Sequence, residues 1–307
     1  LIAELIAQVF VAEQVHVVQG GRTENERLLA QRYDYLFFTG SVEVGKIVMR
    51  HAAAHLTPVT LELGGKSPAI VDRTADIRIA ARRIVFGKFL NAGQTCIAVD
   101  YVLVDAQVKE RFVQEVKAEL SRHFMQDDLG DFPRIINEKH FDRLMHLMEE
   151  AQVIWGGTGN RESLQIVPTV LDRVSFSDPV MQQEIFGPIL PIITFENPDE
   201  ALQAVCERAK PLALYLFTSD RQMERRVLQN VPFGGGCIND TIIHVATSHM
   251  GFGGVGDSGM GSYHGKASFD TFTYYKSVIR QSTKVDLPLR YRPYSPKKDR
   301  LIKRFLG

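Results

Sequence analysis

The stretch Tyr35–Gly45, YLFFTGSVEVG, decides the fold class. Tyr35-Leu36-Phe37-Phe38 is a short aromatic and apolar run, the composition of a strand. Thr39-Gly40 ends it. Ser41 follows as a candidate N-cap, because its hydroxyl can accept from the first helical turn. Val44, Ile47, Val48, Ala52 and Leu56 then recur at helical spacing. Pro58 closes that helix, and Val59–Leu63 reads as the next strand. Strand, turn, helix and strand make a βαβ unit, and with it an α/β fold.

The same alternation extends in both directions. Upstream, Val15–Val18 reads as a strand ending at Gly20-Gly21. Leu1-Ile2-Ala3-Glu4-Leu5 starts inside an amphipathic helix, with neither an initiator Met nor a signal-peptide n-region, and the expectation is that sequence precedes it. Downstream, Ala80–Leu90 reads as helix and Tyr101–Val104 as strand. Val108, Phe112, Val113, Val116 and Leu120 form one helix face, and Phe141–Ala151 is another helix. Asn197-Pro198-Asp199-Glu200 is a helix start: an Asn cap, Pro in the first turn, Glu three past the cap. Leu212–Thr218 is a strand, followed by a helix over Arg221–Leu228. Met250–Gly265 carries glycines at 251, 253, 254, 256, 259, 261 and 265 and reads as a functional loop.

Composition narrows the function classes. The 307 residues allow one large or two ordinary domains, and Lys+Arg balance Asp+Glu at 36 each. That balance argues against nucleic acid as a partner. No apolar run reaches the length of a membrane span. Cys96, Cys206 and Cys237 are too few for a disulfide framework and lack zinc-ligand spacing, so no metal is expected and a reducing cytoplasm is the default compartment.

Three places could carry chemistry. Gly40-Ser41-Val42-Glu43-Val44-Gly45 lies between strand and helix, where bare N–H groups and the helix dipole could take a pyrophosphate. The middle glycine of GxGxxG is absent, so a plain helix start competes with that reading. Glu62 interrupts an apolar strand end before Gly64-Gly65. In an apolar pocket its carboxyl would be a general base near neutral pH; the competing reading is an edge-strand glutamate facing water. Cys96 follows Asn91-Ala92-Gly93-Gln94-Thr95, a turn through which backbone donors could lower a thiol's pKa; against this, free Cys is usually a small core hydrophobe. Cys206 sits with Ala201, Leu202 and Val205 on an apolar helix face and reads as core. Cys237 follows three glycines and could line a site without being a nucleophile.

The order of these segments is specific. LELGGKSP, then GQTC with Cys96 34 positions after Glu62, then QEIFGP over Gln183–Pro188, resembles the aldehyde dehydrogenase superfamily. Phe252–Lys266, FGGVGDSGMGSYHGK, resembles its class 3 branch of fatty- and aromatic-aldehyde enzymes. The resemblance implies a Rossmann-type cofactor domain, here incomplete, and an α/β catalytic domain. The expected division is 1–63 for the end of the cofactor domain, 64–258 for the catalytic domain, and 259–307 for the C-terminal segment. It implies oxidation of an aldehyde with NAD or NADP. Cys96 matches the nucleophile that forms a thiohemiacetal and then a thioester. Glu62 matches the base that activates water, a role that Glu184 could share. Gly40, Ser41, Val42, Glu43, Val44 and Gly45 match the turn beside the pyrophosphate. Glu184 matches the carboxylate on the nicotinamide ribose, Phe186 the ring near the nicotinamide, and Asn239 a substrate-pocket motif. A homodimer is implied for the full-length protein.

Departures accompany the match. By the resemblance, a Trp-Asn-Tyr-Pro-like motif with an oxyanion donor and a Lys-Pro-Ser-Glu-like motif for the adenosine ribose belong upstream of Leu1; neither occurs in this sequence. Gln183 replaces a common Glu, and Met250-Gly251-Phe252 stands where Leu-Pro-Phe is frequent. The two alternatives are a non-catalytic remnant that serves as a partner-dependent module and a cysteine hydrolase pairing Cys96 with one of nine histidines.

Overall fold

The computed structural model describes residues 1–124 and 129–306. Helices α1 (Ile2–Val9) and α2 (Arg22–Leu29) precede strand β1 (Leu36–Thr39). Val15–Val18, expected as a strand, is irregular, and no strand pairs with it among the described residues. An apolar run without a neighbour to complete its ladder has nowhere to place its backbone hydrogen bonds except in water. Helix α3 (Val42–His55) starts where Ser41 Oγ accepts from the Val44 N–H at 3.4 Å. Leu56 ends it in the left-handed region, at φ 55, ahead of Pro58.

Strand β2 (Val59–Glu62) runs parallel to β1, and β12 (Gly259–Met260) closes its other side antiparallel. Glu62 therefore lies opposite Thr39 on one side and Gly259 on the other, at the end of a central strand. Alternation sends Leu61 and Leu63 to one face, where they pack with Val48 of α3, and Thr60 and Glu62 to the other. The edge-strand reading of Glu62 fails for this reason. The loop expected over Met250–Gly265 holds β12 within it, and those two residues belong with β2.

The larger sheet has seven strands in the order β11-β10-β3-β4-β9-β8-β5. They are β3 (Pro68–Val71), β4 (Tyr101–Asp105), β5 (Gln152–Trp155), β8 (Thr169–Asp172), β9 (Ile189–Phe195), β10 (Ala213–Phe217) and β11 (Gly235–Ile238). All pairs are parallel except β5 with β8. A small ribbon, β6 (Gly159–Asn160) with β7 (Gln165–Ile166), stands apart. The central strands are buried along their whole length, which is why they read as unbroken apolar runs.

Helices α4 (Ile77–Phe89), α5 (Lys109–His123), α6 (Glu138–His146), α7 (Pro198–Cys206), α8 (Arg221–Asn230) and α9 (Gly265–Thr271) complete this part. Asp76, Asn137, Asn197 and Asp220 cap α4, α6, α7 and α8 with their side chains. Helix α6 stops at His146 and continues as turns, short of the expected Ala151. Cys206, expected in the core, is exposed at the end of α7 with its thiol toward the Asn230 carbonyl at 3.5 Å. It lies one residue beyond Val205, the last apolar position on the buried face.

Residues Leu1–Phe272 form one compact unit and Thr273–Gly307 a second. The second holds helix α10 (Pro296–Leu306), anchored to its preceding turn by Lys298, whose Nζ donates to the carbonyls of Tyr291 and Pro293 at 3.0 and 2.9 Å. Between Glu62 and Pro68 the chain passes from the small sheet to the large one.

Candidate active site

The chain enters this site through the turn that follows α4. Leu90–Gly93 is a single 3-10 turn, with Asn91, Ala92 and Gly93 all in the left-handed region. Gly93 is required there: a Cβ would run into the Gly187 carbonyl. Gln94 pins the turn from within, its amide nitrogen donating to Arg134 O at 3.0 Å and its oxygen accepting from the Ile136 N–H at 3.0 Å. Below Cys96, the buried Tyr215 hydroxyl donates to Ile97 O at 2.6 Å. Cys96 is thus a half-buried thiol on a fixed turn at the amino end of β4. Burial first, then the fields of Glu184 and Glu62, push its pKa up to about 11; the N–H groups of Cys96 and Ile97 pull the other way.

Glu62 is 2% exposed, and neither carboxylate oxygen has a hydrogen-bond partner among the described residues. Burial alone raises its pKa to about 8. Its backbone carbonyl accepts from Gly40 at 3.0 Å, so the turn at the head of α3 and the carboxyl end of β2 are joined.

Glu184 arrives from the amino end of β9. Burial and the field of Asp100 raise its pKa to about 7, opposed by the Gly65 N–H, Lys66 and Lys88. A Cβ on Gly64 would occupy the place of its carboxylate, so the Gly64-Gly65 pair is the surface against which Glu184 lies. Lys66 ties the loops together: its Nζ donates to Asp100 Oδ2, to Val180 O at 3.0 Å and to Gln183 O at 2.9 Å. Asp100 Oδ1 accepts from the Ile185 N–H at 2.9 Å, and Arg143 Nη2 donates to Ile185 O at 2.6 Å. Asp100 is buried, so its removal strands the Lys66 ammonium and the Ile185 amide together. Asp100→Ala is expected to cost about 3–5 kcal/mol, read as a lowered urea midpoint with an unchanged m-value.

A cavity of about 570 Å³ runs from Val42, at the head of α3, past Gly64, Gly65 and Lys66 to Glu184. Of the Gly40–Gly45 turn, Val42 therefore shares one space with Glu184. Gly45 lets α3 approach Leu63 closely, and the Glu43 carboxylate is occupied with Lys46 at 3.2 Å. What this turn offers the cavity is the N-terminal end of a 14-residue helix rather than charged side chains. Phe186, in the left-handed region at φ 47, stands half exposed beside this group.

Asn239 is placed differently. Its amide accepts from the Thr218 N–H and donates to Thr218 O, both at 2.9 Å, and so is committed to the carboxyl end of β10. Cys237 lies on β11 with its thiol 3.6 Å from His244 Nδ1. Sequence reasoning missed Tyr263. Its ring packs 4.9 Å from Phe37, which shares the sheet face that carries Glu62, and its phenol is raised by burial and by the fields of Glu62 and Cys96. Lys66, Asp100 and Lys88 were missed as well, since nothing local marks a lysine as buried.

The model of the Aldehyde dehydrogenase family matches residues 1–278. The chain belongs to the aldehyde dehydrogenase family. It is 48% identical over 301 residues to 4,4'-diaponeurosporen-aldehyde dehydrogenase of Staphylococcus aureus (strain NCTC 8325 / PS 47), covering 97% of this chain and 66% of that protein. It is 43% identical over 310 residues to aldehyde dehydrogenase family 3 member H1 of Arabidopsis thaliana, covering 99% and 64%. The chain thus spans about two thirds of the length of these curated relatives. Among solved structures, the substrate-bound state of Staphylococcus aureus AldH superimposes with a TM-score of 0.96 at 46% identity, over 100% of this chain and 68% of that one. The resemblance to class 3 read from the C-terminal glycine-rich segment agrees with these matches.

Proposed function

We propose that this aldehyde dehydrogenase oxidises aldehydes to carboxylic acids with NAD or NADP, through a covalent adduct on Cys96. The observation that carries the reading is the convergence of three separate segments: the fields of Glu184 and Glu62 both reach the Cys96 thiol, and Glu184 lines the cavity. The cavity fits a dinucleotide: a helix N-terminus at one end, a glycine pair admitting close approach, and a buried carboxylate oxygen of Glu184 without a protein partner at the other. A dinucleotide held there by the head of α3, the glycine pair and Glu184 would supply the hydride acceptor that the oxidation needs.

The rest belongs to the chain's own residues. The Cys96 thiol releases its proton to solvent and its sulfur adds to the aldehyde carbon, so the carbonyl oxygen becomes an alkoxide. The N–H groups of Cys96 and Ile97, already close to the sulfur, are fixed donors for that charge. Loss of hydride converts this thiohemiacetal into a thioester on Cys96. Glu62 then takes a proton from water, the oxygen adds to the thioester carbon, and the C–S bond breaks. The products are the carboxylic acid and the restored thiol. Tyr263, neutral because its phenol is raised, presents a further donor toward the same space.

The test is aldehyde-dependent formation of reduced nicotinamide, with thiol alkylation as a second readout. NAD or NADP is expected to slow alkylation of Cys96 and to leave exposed Cys206 unprotected. A chain that forms no reduced nicotinamide with any aldehyde, and whose Cys96 no dinucleotide protects, refutes the reading. For Glu184→Gln, the KM for dinucleotide is expected to rise about tenfold, while Cys96 in the free protein alkylates faster because one of the fields opposing its thiolate is gone.

A further inference from the structure

Lys88 is the most unusual side chain in the molecule. It lies in the last turn of α4 with 0% exposure, and its Nζ has no hydrogen-bond partner among the described residues. A lone ammonium in such a place costs several kcal/mol unless other charges compensate it. A methionine would fill the same volume without that cost.

The surroundings show what compensates it. Gly93 touches both the Lys88 carbonyl and the Gly187 carbonyl, so the end of α4 abuts the loop that carries Glu184. The charges whose fields reach Lys88 are Asp100, Lys66 and Glu184. Of the two carboxylates, Asp100 is already engaged with Lys66 and the Ile185 amide. Glu184 has an oxygen, Oε1, that is buried and, like Lys88 Nζ, has no partner among the described residues. Two orphaned buried atoms of opposite charge therefore sit within one electrostatic cluster. The helix C-terminus adds its carbonyl dipoles in favour of the cation.

We propose that Lys88 is a positioning residue for Glu184: a counter-charge sealed beneath the 183–187 loop that keeps the Glu184 carboxylate ionised, and so able to accept hydrogen bonds from a dinucleotide's hydroxyls. The dinucleotide half of this statement rests on the function proposed above; the coupling of Lys88 to Glu184 does not. The groups facing Glu184 are Lys66 and the Gly65 N–H from the segment between the two sheets, Asp100 ahead of β4, Lys88 from α4, Arg143 from α6, and Cys96. Removing Lys88 leaves burial and Asp100 acting against ionisation, with less to oppose them. Glu184 then holds its proton to higher pH.

The experiment is a titration of the Glu184 carboxyl carbon by 13C NMR in the whole chain, assigned through Glu184→Gln. In Lys88→Met the midpoint is expected to move up by about one unit, and in Lys88→Arg to return toward the parent value. Dinucleotide affinity, measured from the fluorescence of bound NADH or NADPH, is expected to fall about fivefold at neutral pH in Lys88→Met and to recover as the pH is raised. A folded Lys88→Met protein with an unmoved Glu184 midpoint overturns the proposal. The reciprocal measurement needs no Lys88 variant: in Glu184→Gln the Lys88 ammonium must titrate at lower pH than in the parent, and an unchanged value also overturns it. A coupling that is present in a chain binding neither dinucleotide would leave Lys88 and Glu184 linked and remove the cofactor reading instead.

Discussion

Cys96→Ala is expected to lower aldehyde-dependent formation of reduced nicotinamide by about 10⁴-fold or more, while dinucleotide affinity stays within about twofold. An aldehyde carbon has no electron pair to expel as hydride until a nucleophile has made it tetrahedral, so without the thiol there is no slow version of the same step. The other cysteines cannot substitute. Cys206 is exposed at the end of α7, and Cys237 lies on β11 against His244. Cys96→Ser keeps the geometry but offers a far weaker acid, and the same loss is expected. The thiol's own ionisation gives an independent check. With its pKa pushed up to about 11, Cys96 carries little thiolate at neutral pH, and alkylation is expected to reach Cys206 first and to reach Cys96 increasingly as pH rises. An active Cys96→Ala protein would show that the nucleophile lies elsewhere.

The fold class was legible because its signals are local. The strand at 36–39, the Ser41 cap, the helix after it and the strand ending at Glu62 each follow from residues within a few positions. Where a feature depends on partners distant in sequence, the reading failed or stopped. Val15–Val18 has strand composition and no strand beside it. Gly259-Met260 has loop composition and becomes a strand because β2 offers an open edge. Glu62, taken alone, looked better suited to solvent than to a pocket, and β12, nearly 200 residues further on, decides for the pocket. The buried ion cluster was invisible for the same reason: Lys66, Lys88, Asp100, Arg143 and Glu184 come from five segments, and no one of them looks unusual in its own. Cys96 was recognised from the company of Glu62 and Glu184. That the fields of Glu184 and Glu62 both reach the Cys96 thiol is a property of the fold alone.

Glu62→Gln separates the two halves of the reaction and carries the second large effect. Formation of the thioester does not require this carboxylate to attack anything; its hydrolysis requires a base for water. The variant is expected to release about one reduced nicotinamide per site in a burst, followed by a steady rate lower by about 10²–10⁴-fold. The parent's steady rate is expected to rise with pH through about 8, where Glu62 ionises, and Gln should erase that limb. Stability moves in the opposite sense, which makes the assignment checkable without any substrate. Burial raises this carboxyl from 4.5 to about 8, so the folded state binds the proton more tightly than the unfolded chain does. Its contribution is whole below about pH 4.5 and is lost as pH rises through about 8. Glutamine never acquires the charge. The melting temperature of Glu62→Gln should therefore match the parent's near pH 5 and exceed it by several degrees near pH 9. A variant that loses its steady rate and also melts lower at every pH would mean that Glu62 holds the fold rather than the water. A variant that keeps its steady rate, with a gain in stability at high pH, would pass the base role to Glu184, whose own carboxyl is raised to about 7 and whose field also reaches Cys96.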